Sequence, residues 1–265
     1  MKLFFRITML WGMIVFCFGC GMQENGERQD KDSAWQCVDT AMGTVVQQTV
    51  YGSGEAAEDF FGQTRVALTE LEQEQLSWRL ETSEVYRMNQ WAGKEEGCGI
   101  PEDMARLLQA CLELGRRSGG NFDISLGQLT RLWNIDKWAA GENEVIFGIP
   151  SEEEIQEALR LCGSAKIRLT GDGPDASSEE FRVYLPEGMQ LDLGAVGKGL
   201  ALSAVSSLLG EETRITGAVV SLGGSILTWG EKPDGSPWKV GVMDPFDTAS
   251  NVGILTLEGE WCIST

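Results

Sequence analysis

Residues 191–199 read LDLGAVGKG, and this stretch predicts a strand that passes through a glycine turn into a helix. Asp192 lies at the end of the apolar run, and Lys198 lies near the start of the helix. The N–H groups and the dipole at a helix N-terminus attract phosphate, and a lysine there adds positive charge. The spacing GxxxxGK[ST] is absent, so the stretch is not a P-loop. Two interpretations stay open: a phosphate-binding junction, or a structural joint with a solvated lysine.

The segments around this junction predict an α+β fold. Apolar residues at helical spacing predict helices over residues 56–76, 101–118, 151–162 and 194–209. Alternating or apolar segments predict strands over residues 37–51, 166–170, 181–185, 190–193, 218–222, 226–229, 238–243, 253–257 and 261–264. Because helices come early and strands come late with short links, the pattern favours α+β over a doubly wound sheet.

The composition argues against several classes of function. The chain has 265 residues, with 21 Lys and Arg against 40 Asp and Glu, a formal net charge of −19, and no His. We therefore expect no nucleic-acid partner, since binding a phosphate backbone needs clustered Lys and Arg. Mechanisms that use a His base or a His metal ligand are excluded within these residues. Hydrophobic residues make up 42% of the chain, which is enough to build a core.

Residues 1–19 are predicted to form a signal peptide. Lys2 and Arg6 give a basic start, and residues 7–19 carry no charge and are mostly apolar. That stretch is shorter than the roughly 20 residues of a membrane span and fits a signal-peptide core. The end of the segment resembles a bacterial lipoprotein processing site, with Cys20 as the lipidated residue, although Cys17 lies where leucine is usual. A plain secretory signal and an uncleaved anchor are the alternatives.

The organisation after Cys20 follows from this interpretation. Residues 20–36 are polar and poor in aliphatic side chains, which predicts a flexible tether. Residues 37–265 are predicted to form the folded domain. We expect the protein to be extracytoplasmic and lipid-anchored to the bacterial cell membrane. Cys111 and Cys162 fall on apolar helix faces and are predicted to be core residues.

Three further glycine-rich segments lie in the predicted domain. Residues 119–127 read GGNFDISLG, residues 221–225 read SLGGS, and residues 237–245 read PWKVGVMDP. Taken singly, each has a structural explanation, such as a helix cap followed by a strand, or a tight turn. The order of these segments along the chain is more informative than any one of them. Three more segments belong to the same series: residues 42–44 (MGT), 76–78 (LSW) and 83–89 (SEVYRMN).

Together with residues 191–199, these segments resemble the ApbE family of FAD:protein FMN transferases, from about residue 40 to the last residue. The resemblance implies an ApbE-like fold, with helices packed on largely antiparallel sheets. It implies that FMN is transferred from FAD to a Thr or Ser hydroxyl of an acceptor flavoprotein, with release of AMP and with Mg²⁺ as cofactor. Family members are commonly extracytoplasmic lipoproteins, and the implied acceptor is a flavoprotein subunit of a membrane redox complex.

The resemblance also assigns roles to residues. The main-chain oxygen of Ala195 matches a metal-binding position, and a backbone oxygen suits Mg²⁺, which prefers oxygen ligands. The positions that match FAD-contacting residues are Met42, Trp78, Asn121, Phe122, Asp123, Asp192 and Lys198.

The family pattern continues beyond Thr265 with a segment that holds a His and two metal-ligating side chains, an Asp and a Thr. The resemblance implies that the catalytic residues lie in that segment. We therefore expect the sequence to be a fragment of a longer gene product, with a natural truncation as the alternative. We also expect it to bind Mg²⁺ and FAD more weakly than an extended version. An FAD pyrophosphatase that yields FMN and AMP, and a non-catalytic flavin-binding lipoprotein, are the alternative functions.

Overall fold

The computed structural model describes residues 33–134, 149–171, 181–247 and 249–264. The predicted signal peptide and Cys20 lie outside these ranges. The helices are α1 (Gly54–Glu70), α2 (Glu84–Gln90), α3 (Glu102–Arg117), α4 (Gly127–Trp133), α5 (Glu152–Arg160) and α6 (Gly194–Glu211), with a π-helical turn over Leu71–Leu76 and a 3₁₀ turn over Ser164–Lys166. The strands are β1 (Ala34–Ala41), β2 (Thr44–Gly52), β3 (Cys98–Ile100), β4 (Arg168–Thr170), β5 (Phe181–Tyr184), β6 (Ile215–Leu222), β7 (Ser225–Gly230), β8 (Trp238–Met243), β9 (Asn251–Leu257) and β10 (Trp261–Ile263).

The predicted α+β class is confirmed. One sheet has the strand order β1-β2-β6-β7-β10, a second has the order β3-β5-β4, and β8 pairs with β9. The pairs within these sheets are antiparallel. Helices α1 and α6 pack against each other, α1 contacts β1 and β2, and α6 contacts β6 and β7. The apolar faces of helices and main sheet thus share one core, in which the side chains of Phe60, Leu202 and Val220 are buried.

The segment predicted as one strand over residues 37–51 is a hairpin. The structure breaks it at Met42 and Gly43, whose φ angles are +52° and +69°. Two consecutive residues with positive φ form the tight turn that suits a two-residue β-hairpin. Asn-Gly or Asp-Gly usually marks such a turn, and Met-Gly carries no comparable signal. Strand β1 also begins at Ala34, inside the stretch predicted as tether.

The strand predicted over residues 190–193 is wrong. Only Gln190 makes a β-type pairing there, an isolated parallel bridge with Leu126, and residues 191–193 belong to none of the described strands. Leu191 and Leu193 are nevertheless fully buried. The apolar pattern at residues 191–193 therefore reflects burial. The main chain of Leu191 is hydrogen-bonded by the side chain of Asn89 instead of by a neighbouring strand.

The helix predicted over residues 56–76 is present but changes its pitch. Ser53 begins α1, because its hydroxyl accepts a hydrogen bond from the N–H of Ala56. The helix then widens into the π-helical turn Leu71–Leu76. Such turns are rare and are frequent at functional sites. Here the turn carries Glu72 and Leu76 to the wall of a cavity.

Cys111 and Cys162 are buried, as predicted for core residues. Burial raises the pKa of both thiols above the ordinary value, so both are protonated at neutral pH. In the part of the chain that the structure describes, no helix combines the length and the apolar character that crossing a membrane requires.

Candidate functional site

A cavity of about 530 Å³ lies where the β1–β2 turn, the π-helical turn and the start of α6 meet. This cavity, called the first cavity below, brings together residues that are up to 156 positions apart in the chain, from Met42 to Lys198. Its wall includes the predicted site residues Met42, Trp78, Asp123, Asp192, Ala195 and Lys198.

The start of α6 forms one wall of the first cavity. The N–H of Asp192 donates to the carbonyl oxygen of Ile124 at 2.9 Å, which fixes the backbone before the turn. Its Oδ1 accepts a hydrogen bond from the N–H of Gly194 at 2.8 Å. Asp192 therefore satisfies one of the first N–H groups of the helix, which have no partner inside it. Both Gly194 and Ala195 line the cavity next to it.

Lys198 lies on the same wall, one turn further along α6. Its Nζ donates to the carbonyl oxygen of Gly223 at 3.4 Å. An ammonium group has three donors, so this long bond leaves donors that can point to a ligand. Gly223 and Gly224, with φ angles of +48° and +96°, form the turn between β6 and β7. The SLGGS segment is therefore a hairpin turn that supports the lysine.

Met42 and Glu72 also line the first cavity. The N–H of Met42 donates to Oε2 of Glu72 at 2.9 Å. A Cβ added at Gly197 would lie 3.3 Å from Cε of Met42, so the methionine packs against the first turns of α6. Glycine at position 197 thereby allows the β1–β2 turn to approach the helix closely.

Trp78 contacts two arginines. The guanidinium carbons of Arg79 and Arg131 lie 4.0 Å and 4.9 Å from the centroid of its ring system. These are cation–π distances. Trp78 and Arg79 line the first cavity and Arg131 does not, so Arg79 brings a positive charge to the cavity beside the indole, although the whole chain carries a net charge of −19. The sequence motifs did not indicate Arg79 or Glu72. Arg79 comes directly after the segment at residues 76–78, and Glu72 comes before it.

Asp123 lines the first cavity but uses its carboxylate mainly within the fold. Oδ1 accepts from the N–H and the hydroxyl of Ser125 at 2.7 Å and 2.6 Å, and Oδ2 accepts from the N–H of Ser164 at 3.1 Å. Asn121 and Phe122 do not line the cavity. Nδ2 of Asn121 donates to the carbonyl oxygen of Ser118 at 2.8 Å, which closes the end of α3. The GGNFD segment is therefore a helix cap that places Asp123.

A second cavity, of about 590 Å³, lies on the other side of the α6 N-terminus. Gly194, Ala195 and Lys198 line both cavities. The far wall of the second cavity includes Cys111 of α3 and Ser264 after β10. The raised pKa of Cys111 keeps its thiol protonated, so it is a poor nucleophile or metal ligand. The segment at residues 237–245 forms β8 and its end, and lines neither cavity.

The residues near the α6 N-terminus offer oxygen donors to a cation. Among the described residues, no group of three or more His, Cys, Asp or Glu side chains could bind a metal ion. The main-chain oxygen of Ala195 has two lone pairs, so it can accept a helical hydrogen bond and still face a ligand. A Cβ added at Gly199, which lines the second cavity, would meet no atom within 4 Å, so the space on that side of the helix is open. Mg²⁺ typically takes few protein oxygens and completes its shell with water and substrate phosphates, so the Ala195 oxygen is one ligand of the kind it accepts.

A family model described as the ApbE family matches residues 42–265. The chain belongs to the ApbE family. A relative named FAD:protein FMN transferase, from Treponema pallidum, is 27% identical over 252 residues, which are 91% of this chain and 66% of that protein. The sequence of this ApbE-family chain thus spans slightly less than two thirds of that relative's length.

Two solved structures share the fold of this ApbE-family chain. The ApbE protein of Thermotoga maritima matches with a TM-score of 0.70 and 24% identity, over 86% of this chain and 68% of that one. The apo flavinyl transferase ApbE of Pseudomonas stutzeri matches with a TM-score of 0.67 and 26% identity, over 86% of this chain and 66% of that one. These likenesses confirm the predicted ApbE-like arrangement of helices and antiparallel sheets.

Proposed function

We propose that this ApbE-family chain belongs to an enzyme that transfers FMN from FAD to a Thr or Ser hydroxyl of an acceptor flavoprotein and releases AMP. One observation carries the proposal: Met42 and Trp78 line the same cavity as the α6 N-terminus with Asp192, Ala195 and Lys198. A flavin dinucleotide needs both halves of this wall, an apolar and aromatic part for the ring and an N–H-rich, basic part for the diphosphate.

The wall of the first cavity carries both negative and positive side chains that a diphosphate would meet. Glu72 and Asp192 each accept a backbone N–H, and Asp123 accepts from Ser125 and Ser164, so these carboxylates have protein partners. Lys198 contributes an ammonium group beside the first turn of α6, whose dipole also favours negative charge. The lining still carries the three negative charges of Glu72, Asp123 and Asp192 against the two positive charges of Arg79 and Lys198, so a diphosphate would bind there together with a divalent cation.

In the proposed reaction, the acceptor hydroxyl oxygen forms a bond to the FMN phosphorus of FAD, and the bond from that phosphorus to the bridging oxygen breaks. AMP leaves with the bond electrons, and the hydroxyl proton goes to a base. Lys198 and the N–H groups of α6 bind and orient the diphosphate and stabilise the charge on its oxygens. The wall between Met42 and Trp78 orients the flavin and excludes water. The main-chain oxygen of Ala195 would hold Mg²⁺, which would supply further positive charge when bound.

The test separates the transferase from the two alternatives. The chain is incubated with FAD and Mg²⁺, with and without an acceptor flavoprotein domain, and free FMN, AMP and protein-bound flavin are measured. AMP together with covalent flavin on the acceptor supports the transferase. Free FMN and AMP without an acceptor indicate an FAD pyrophosphatase. Bound but unchanged FAD indicates a flavin-binding protein when a version extended by the family's C-terminal segment also leaves FAD unchanged. Failure to bind FAD at all contradicts the proposed site.

We also propose that residues 1–19 are removed, that Cys20 is lipidated, and that residues 20–36 tether the domain outside the cytoplasm. The basic start, the apolar core and the Phe18-Gly19-Cys20 end support this order of events. The acceptor would then be a flavoprotein subunit of a membrane redox complex. In a bacterial host, the wild-type chain should fractionate with membranes and carry labelled fatty acid. Cys20→Ser should lose the label, and retention of the label by that variant contradicts the proposal.

A further inference from the structure

Asn89, at the end of α2, makes two hydrogen bonds to the main chain of one residue that is 102 positions away. Its Oδ1 accepts from the N–H of Leu191 at 2.7 Å, and its Nδ2 donates to the carbonyl oxygen of Leu191 at 3.0 Å. Asn89 is 3% exposed and Leu191 is fully buried. These backbone groups therefore have a side chain as partner in a place that water does not reach.

The two bonds copy the pattern of a β-ladder. In an antiparallel pair, opposite residues can exchange both an N–H and a carbonyl bond, and the Asn89 amide does the same for Leu191. Residues 191–193 are apolar and buried but belong to none of the described strands. The side chain of Asn89 thus takes the place of a neighbouring strand at this point of the chain.

Leu191 is the residue before Asp192, whose backbone and carboxylate set the start of α6. On one side, Asp192 donates its N–H to the carbonyl oxygen of Ile124. On the other side, Asn89 fixes Leu191. Resting on the proposed flavin site, we infer that Asn89 is a positioning residue: it fixes the register of the loop that places Asp192, Gly194 and Ala195 against the diphosphate.

Asn89 is itself well positioned for this role. Helix α2 begins at Ser83, whose side chain accepts from the N–H of Val85, and Met88 beside Asn89 is fully buried. Nε2 of Gln190 also donates to the carbonyl oxygen of Asn89 at 3.3 Å. The main chain of Asn89 is therefore fixed by packing and by a further hydrogen bond from the same loop, and a fixed support is what preorganising a binding loop requires.

The experiment compares two substitutions with a matched control. Asn89→Leu removes both hydrogen bonds but keeps the branched shape and the number of side-chain heavy atoms, whereas Asn89→Ala also leaves a cavity. Thr228→Val is the control, because Thr228 is fully buried, donates to the carbonyl oxygen of Gly259 at 3.1 Å, and lines neither cavity. FAD affinity, thermal unfolding, and hydrogen–deuterium exchange over residues 189–196 are measured for the full chain, at a temperature where all variants are folded.

Both Asn89 variants should bind FAD roughly tenfold more weakly and exchange residues 189–196 roughly tenfold faster, because two buried backbone groups lose their partners. They should share this loss even though Asn89→Ala unfolds at a lower temperature than Asn89→Leu. Thr228→Val should bind FAD within twofold of the wild type.

Wild-type affinity in Asn89→Leu, or unchanged exchange at residues 189–196, overturns the inference. A wild-type chain that does not bind FAD contradicts the proposed function instead, and the exchange measurement then decides alone whether Asn89 fixes the loop.

Discussion

The main-chain N–H of Met42 donates a hydrogen bond to Oε2 of Glu72, with 2.9 Å between nitrogen and oxygen. Met42 has a φ angle of +52°, which is uncommon for a residue with a side chain. The bond joins the β1–β2 turn to the π-helical turn after α1. The carboxylate of Glu72 thereby stabilises a backbone conformation that directs the methionine towards α6.

Substituting Glu72 should therefore disturb both stability and the cavity. Glu72→Ala removes the acceptor of the Met42 N–H, and we expect a loss of about 1 kcal/mol in the free energy of unfolding. FAD affinity should fall several-fold because Met42 lines the cavity. Urea unfolding and fluorescence titration with FAD measure the two effects. Glu70→Ala, which removes an exposed carboxylate from the same helix, is the control; equal behaviour of the two variants argues against the role of Glu72.

Lys198 should contribute to FAD binding through its charge. Lys198→Met keeps the length of the side chain but removes the ammonium group, and we expect roughly tenfold weaker binding of FAD, since charge-assisted contacts to phosphate are among the strong ones. The affinity of the wild type should also fall more steeply with salt than that of the variant. Titrations at several salt concentrations measure both. Lys239→Met, at an exposed position of β8, should bind like the wild type; a matching loss there would mean that net charge, rather than position, matters.

Two glycines of α6 should respond differently to alanine. Gly210→Ala places its Cβ in open space, and we expect a gain of about 0.5–1 kcal/mol, the helix-propensity difference. Gly197→Ala places its Cβ 3.3 Å from Cε of Met42 and 3.6 Å from Cδ1 of Leu76. The methionine must move, so the gain in stability should be smaller and FAD affinity should fall. Urea unfolding and FAD titration of the two variants check this. Equal gains with unchanged affinity would show that Met42 adapts without consequence.

Glu212 should make the stability depend on acid. Hydrogen bonds from Arg214 lower the pKa of Glu212 from 4.5 to about 2 in the folded protein. The stabilisation is therefore complete above about pH 4.5 and is lost as the pH falls towards 2. Because the pair is near the surface, Glu212→Gln should cost at most about 1 kcal/mol at pH 7. Urea unfolding of wild type and variant at pH 7 and pH 2.5 should show that the difference in the free energy of unfolding between them is smaller at pH 2.5. An equal difference at both pH values contradicts the lowered pKa of Glu212.

The sequence predicted helices α1, α3, α5 and α6 and most strands, because their apolar spacing reports burial directly. It did not predict α2, α4 or β3, which are too short to show a clear period. It missed the turn at Met42, since a left-handed methionine depends on the distant Glu72 and leaves no local signal. It also predicted a strand over residues 190–193. Buried residues show the same apolar pattern whether a partner strand or the Asn89 side chain bonds their backbone. Contacts between residues far apart in the chain decided both cases.

The candidate site was predictable where motifs carry it and unpredictable elsewhere. Asp192, Ala195 and Lys198 come from one glycine-rich segment, and the structure places all three on one cavity wall. Arg79 and Glu72 belong to helix and loop surfaces that resemble any solvated face in sequence. Asn121 and Phe122 are close to Asp123 in the chain, yet the Asn121 side chain and the Phe122 N–H bond Ser118 at the end of α3, and neither residue lines the cavity.

The first turn of α6 is a partition between two chambers, since Gly194, Ala195 and Lys198 face both. A substitution at Gly194, Ala195 or Lys198 therefore changes the lining of both cavities at the same time. A substitution intended to change the ligand preference of one cavity alone should be made at a residue that lines only that cavity. Trp78 is such a residue in the first cavity and Leu107 in the second.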